Sequence, residues 1–187
     1  MNKHPPYLRS HAITLTLLSA AFLSGIIFGA IAYPHAREQT EQLASMLKNL
    51  INTDSQLSTA LGIFMKNMQA SFIMLLLGPT LVMPFFIVHA NGLLTGLVIG
   101  MAAERGKPLL KIAAGLMPHG IIELAVFFLT ATLGMDVTLS AIRNKGRRLA
   151  AVKEAVIHAL KTYITVVMPL LLIAAFIEAY ISVKIIQ

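Results

Sequence analysis

The spacing of formal charges constrains this chain more than any other feature. Residues 10–36 contain no Asp, Glu, Lys or Arg, and neither do the 33 residues Ser71–Ala103. A helix rises about 1.5 Å per residue, so about 20 apolar residues cross a hydrocarbon core about 30 Å thick. Inside that core every backbone N–H and C=O must be bonded within the protein, which makes helices the solution for runs of this kind. With 57% hydrophobic and 12% charged residues, the chain is more apolar and less charged than a soluble domain.

The expected fold is therefore all-α: a polytopic transmembrane helical bundle of about five spans, with short amphipathic interfacial helices, forming a single integral membrane domain over 1–187. The spans are expected at about 12–33, 63–87, 90–103, 109–134 and 162–183, with an exposed segment at 34–62 and a basic interfacial segment at 136–161. The first span could compete with a signal peptide, since Lys3 and Arg9 form a basic front and Ala30-Ile31-Ala32 resembles a cleavage site. Its apolar region exceeds the roughly 7–15 residues of a signal peptide, so it is read as a retained span.

As one helix, Ser71–Ala103 would be about 50 Å long, too long for one span and short for two. It is either a hairpin or a broken span. A hairpin requires the first arm to start near Leu61, with Lys66 snorkelling to the interface. Pro79 and Pro84 interrupt the path by removing backbone donors, and Asn91-Gly92 beside His89 offers turn chemistry.

Leu43, Met46, Leu47, Leu50 and Ile51 recur at helical spacing and predict a short amphipathic helix, with a turn around Asn52-Thr53-Asp54-Ser55. Leu139, Ile142, Leu149, Val152, Val156 and Leu160 predict a second interfacial helix beside the basic block Arg143, Lys145, Arg147 and Arg148. The formal charge of +7 lies between spans, so anionic lipid headgroups, rather than nucleic acid, are the expected partner. With the N-terminus inside, the inner side holds Lys3, Arg9, Arg143, Lys145, Arg147, Arg148, Lys153 and Lys161. The outer side holds Arg37, Lys48, Lys66, Arg105, Lys107, Lys111 and Lys184. That tally is nearly even, and the dense block Arg143–Arg148 sets the expected orientation toward the cytoplasmic leaflet.

The chain has no Cys, which excludes disulfides, thiol catalysis and Cys-based metal sites. It also lacks HExxH, GxSxG and Walker patterns, and His4, His11 and His35 lack metal-ligand spacing. No enzyme activity, cofactor or metal is expected.

Ionisable residues within spans are costly and are candidates for function by default. His119 and Glu123 share a helix face at four-residue spacing, beside Pro118 and Gly120. Glu178 lies in the last span with Pro169, and His89 and Asn91 complete the intramembrane polar set, with His119 the nearest candidate partner of Glu123 on its own helix and Asn91 a candidate across the bundle. The set is either an interhelical clamp that fixes packing or a proton- or ion-responsive centre. An embedded hydrolase built on Glu123 and His119 lacks a nucleophile and a third orienting group. Gly92, Gly96 and Gly100, with the pair Gly25 and Gly29, form ridges that admit a close helix backbone, in cis or by self-association.

These residues fall in a recognisable order. Phe64-x-x-Asn67 precedes an apolar run ending in Leu77-Gly78, and Asn91-Gly92 follows with Gly96. Pro118-His119-Gly120-Ile121-Ile122-Glu123-Leu124 comes next, and Pro169 through Tyr180 closes the series. From about Phe64 onward the chain resembles the stage II sporulation protein M family, with Pro-His-Gly-x-x-Glu-Leu the most specific element. Pro79 and Pro84 depart from that pattern. The resemblance implies a multi-pass protein of the cell membrane, acting beside peptidoglycan-remodelling membrane partners in the engulfment machinery of endospore formers, without a hydrolase site of its own. The expectation is a non-enzymatic organiser of a membrane complex or of envelope remodelling, with homo-oligomers expected. The alternative is a small transporter or channel subunit whose intramembrane Glu and His line a polar path.

Overall fold

The computed structural model describes residues 6–51 and 55–182, which are helical nearly throughout, with no strand among them. The helices are α1 (Pro6–Ala32), α2 (Arg37–Ile51), α3 (Gln56–Leu77), α4 (Met83–Glu104), α5 (Leu109–Arg143), α6 (Arg148–Thr162) and α7 (Met168–Ile177). Five helical segments are long and apolar enough to cross a membrane: His11–His35, Gln56–Thr80, Met83–Glu104, Met117–Arg143 and Arg148–Ile181. The expected all-α bundle with five such segments is what the chain forms.

The uncharged run is a hairpin, but its turn lies at Gly78–Val82 and not at His89–Gly92. Pro79 ends α3 in a 3-10 turn, Gly78–Thr80, because its ring cannot continue the helix. Leu81 then takes a left-handed conformation, φ 64°, and the Met83 backbone N–H donates to Thr80 Oγ1 at 3.1 Å, starting α4. Pro84 sits in the first turn of α4, where a missing N–H costs nothing. Pro79 and Pro84 therefore mark helix boundaries and are not kinks. The third span is the 22-residue α4 rather than 90–103, and His89, Asn91 and Gly92 lie inside it.

The basic segment 136–161 also differs from expectation. It is the end of α5, a turn at 144–147 and the start of α6, and it continues into the last span without an interfacial helix of its own. The face turned toward α5 consists of small residues, Ala151 and Ala159, both buried, whereas Leu149 is 85% exposed. Lipid is as apolar as leucine, so small residues that permit close backbone approach occupy the helix contact and large ones face outward. Pro169 likewise does not kink a regular helix. The π turn Tyr163–Val167 precedes it and relieves the clash between its ring and the preceding turn, and α7 then opens with Pro169. A second π turn, Glu178–Ser182, follows α7.

The two glycine ridges face each other within one chain. A Cβ placed on Gly25 or Gly29 would strike the α4 backbone at His89, Leu93 and Leu97, and one on Gly92 or Gly96 would strike the α1 backbone at Phe22 and Ile26. Gly100 faces the Tyr33 ring. The first span is thus built into the bundle along the length of α4, and the ridge serves packing in cis rather than self-association. A further glycine contact, Gly78 against Gly134, lets the α3 hairpin turn approach α5, and Thr138 Oγ1 donates to the Pro79 carbonyl there at 2.7 Å.

Among the described residues three apolar clusters make the core, one of them setting Ala60 and Ile63 of α3 against Ala175 and Ala179 of the last helix. Leu75, Val126, Leu133, Tyr163, Val167 and Leu171 join α3, α5 and the last span. Leu18, Met74, Val88 and Ala131 tie α1 and α4 to α3 and α5. Of the expected apolar face of α2, Leu43 and Met46 are exposed, and among the α2 residues whose burial is described only Thr40 is buried. The side chains of Leu47, Leu50 and Ile51 and the residues Asn52, Thr53 and Asp54 lie outside the described set, as do the side chains of Lys3, Arg9, Lys48 and Lys184 in the charge tally.

Candidate functional site

Three of the intramembrane ionisable residues come together. His119 and Glu123 project from the same face of α5, and Glu178, at the start of the second π turn, reaches them from the last helix. One donor atom from each lies within 4.8 Å of the other two. His119 is buried, and Glu123 and Glu178 are partly buried. The four-residue spacing on α5 was visible in the sequence, but the convergence of Glu178 on that face depends on how the last helix packs.

The partner of Glu123 across the bundle is Asn67 of α3, whose side-chain amide donates to Glu123 Oε1. The sequence pointed instead to Asn91. That residue lines a cavity of about 360 Å³ together with Asn67, Thr95, His119, Glu123 and Phe127. The cavity separates the α1–α4 pair from α3 and α5, and most of its remaining lining is apolar. Asn67, beside Lys66 and Gln69 in the mostly apolar stretch Leu61–Leu77, could have been singled out because an amide in hydrocarbon needs a partner.

Gly120 admits no backbone neighbour. Nothing lies within 4 Å of where its Cβ would be, and it simply borders the cavity beside Pro118, which sits within α5. His89 belongs to a different place: in the α1–α4 seam its Nδ1 is 3.2 Å from the Ala21 carbonyl and 3.1 Å from Ser24 Oγ. Lys66 does not snorkel freely, since its Nζ is buried and has no hydrogen-bond partner among the described residues. At the turn after α5, Arg147 forms an ion pair with Glu154 at 2.7 Å, while Lys145 and Arg148 are exposed. Arg143 ends α5 beside them.

Other polar links escaped the sequence reading. Ser71 Oγ lies 3.0 Å from Tyr163 Oη, which donates to the Met68 carbonyl at 2.7 Å, joining α3 to the last helix. His11 pairs with Asp136 at 2.8 Å at one end of the bundle. At the other end Glu104 accepts from Tyr33 Oη at 2.7 Å and pairs with Arg37, and Arg105 lies 3.5 Å from Glu41. Each joins segments distant in sequence, which a single chain read linearly cannot reveal.

The helices that build this site lie within one family match. The profile of stage II sporulation protein M matches residues 18–183. The chain belongs to the stage II sporulation protein M family. Membership extends well upstream of Phe64 and includes most of the first span, whose packing on α4 makes it part of the same unit. Among curated proteins, this family member is 32% identical over 180 residues to an uncharacterized protein of Methanocaldococcus jannaschii, an alignment covering 92% of this chain and 94% of the relative. No solved structure matches it.

Proposed function

We propose that this family member is a non-enzymatic integral membrane organiser, holding a membrane complex together or assisting envelope remodelling. The observation that carries the reading is the use of Glu123: this partly buried carboxylate is bonded by Asn67 of a neighbouring helix, as expected of a clamp that specifies an arrangement. The bonds Ser71–Tyr163 and Thr138–Pro79 serve the same end. The exposed apolar residues of α2 and the basic turn at 144–147 then supply surfaces for membrane and partner at opposite ends of the bundle. In an endospore former the process served would be engulfment. A relative in an archaeon favours a broader envelope role.

A transporter or channel subunit is the second reading, favoured by the cavity that reaches Glu123 and His119. One pair of measurements separates them. Cross-linking and co-purification from native membranes should enrich an envelope-remodelling membrane protein over an unrelated five-span control. Absence of that enrichment, with cation flux in proteoliposomes that Glu123→Gln abolishes, would replace the organiser with the transporter.

A further inference from the structure

His119, Glu123 and Glu178 form a set of donors that a structural clamp does not require. We propose that they bind a divalent first-row transition metal ion, such as Zn²⁺ or Mn²⁺, inside the membrane bundle.

The geometry starts with the helix period. His119 and Glu123 are one turn apart and point the same way, and the last helix closes the set with Glu178. Glu178 opens a π turn, a distortion found often at functional sites. Metal–ligand bonds of about 2.0–2.2 Å need donor atoms about 3.0–3.5 Å apart, so contraction of this triangle requires shifts of under about 1 Å per side chain. Rotation about the Glu and His torsions provides that range.

Charge supplies the second argument. Two carboxylates this close in a low-dielectric interior cannot both stay ionised without compensation, and the amide of Asn67 brings no charge. A divalent ion neutralises both together and engages the imidazole as a neutral donor. One imidazole with two carboxylates suits Zn²⁺, Mn²⁺ or Fe²⁺, whereas Ca²⁺ and Mg²⁺ favour all-oxygen sites. Asn67 bonds one Glu123 oxygen and orients the carboxylate, the part that outer-shell partners play at metal sites. The adjoining cavity, bordered by His119 and Glu123, offers an entry path and room for a water ligand. Such an ion would fasten the last helix to α5 whether the protein organises partners or conducts ions, so the inference does not rest on the proposed function.

The test uses the full chain in lipid nanodiscs, stripped with EDTA, re-equilibrated with Zn²⁺ or Mn²⁺ and desalted. Elemental analysis should find about one equivalent per chain in the wild type and less than about 0.2 in Glu178→Gln, with metal raising the melting temperature only in the wild type. A wild type that retains less than about 0.2 equivalents of either metal overturns the proposal. So does a full equivalent retained by both Glu178→Gln and His119→Gln, which would locate the ion elsewhere. Should those variants fail to fold, X-ray absorption of the metal-loaded wild type decides. One imidazole with carboxylate oxygens supports the site, and a shell of several imidazoles refutes it.

Discussion

The Asn67 side-chain amide donates to the Glu123 carboxylate, joining α3 to α5 across 56 positions of sequence. Glu123→Gln keeps an acceptor oxygen at the same place, so the fold should tolerate it. Glu123→Leu leaves Asn67 unpaired in an apolar interior and should destabilise the bundle. A double-mutant cycle of Asn67→Ala with Glu123→Leu should give a coupling of about 0.5–2 kcal/mol in thermal unfolding in detergent. Coupling indistinguishable from zero would remove the clamp from the organiser reading.

Glycines should divide sharply by what faces them. Gly92→Ile and Gly96→Ile drive a branched side chain into the α1 backbone and should lower stability by about 2 kcal/mol or more, with oligomer size unchanged. Gly62→Ala meets nothing within 4 Å and should be neutral or slightly stabilising within α3. Gly106→Ala, at φ 72°, should cost about 1 kcal/mol through backbone strain alone. Thermal unfolding beside size-exclusion profiles checks all of these. A change of oligomer size without loss of stability in Gly96→Ile would restore the ridge to a role between chains.

Glu104 anchors the start of α2 by accepting from Tyr33 and pairing with Arg37. Both ion-pair partners are substantially exposed, so Glu104→Ala should cost only about 0.5–1 kcal/mol globally. The larger effect is local. Hydrogen exchange across 37–46 should accelerate clearly, while α5 remains protected. Equal acceleration in both regions would mean that α2 is not held by this contact.

Five crossings would set the start of α1 and the end of the last helix on opposite sides, with the turn at 144–147 on the same side as the start of α1. The chain has no Cys, so single substitutions label cleanly. A Cys replacing Lys145 should react only from the cytoplasm, and one replacing Gly106 only from outside. The reverse pattern would invert the orientation. Reaction of both from one side would contradict the crossing number.

Much of this protein is written locally. Charge-free runs longer than a bilayer is thick dictated helices and a membrane, because no other arrangement of these lengths bonds its backbone internally. His119 and Glu123 were legible as a pair since a helix repeats every 3.6 residues. The glycines at 92 and 96 announced a close contact by their four-residue spacing. The tertiary structure alone decided the rest, because each outcome depends on which helix packs beside which. It chose Asn67 over Asn91 as the partner of Glu123, carried Glu178 onto the α5 face, and gave the glycine ridge to α1 of the same chain. It also moved the hairpin turn to Gly78–Val82. Pro79, Pro84 and Asn91-Gly92 were all plausible breakers, and only the Gly78–Gly134 contact with α5, together with pairing of α1 along the whole of α4, makes a turn at Asn91 untenable.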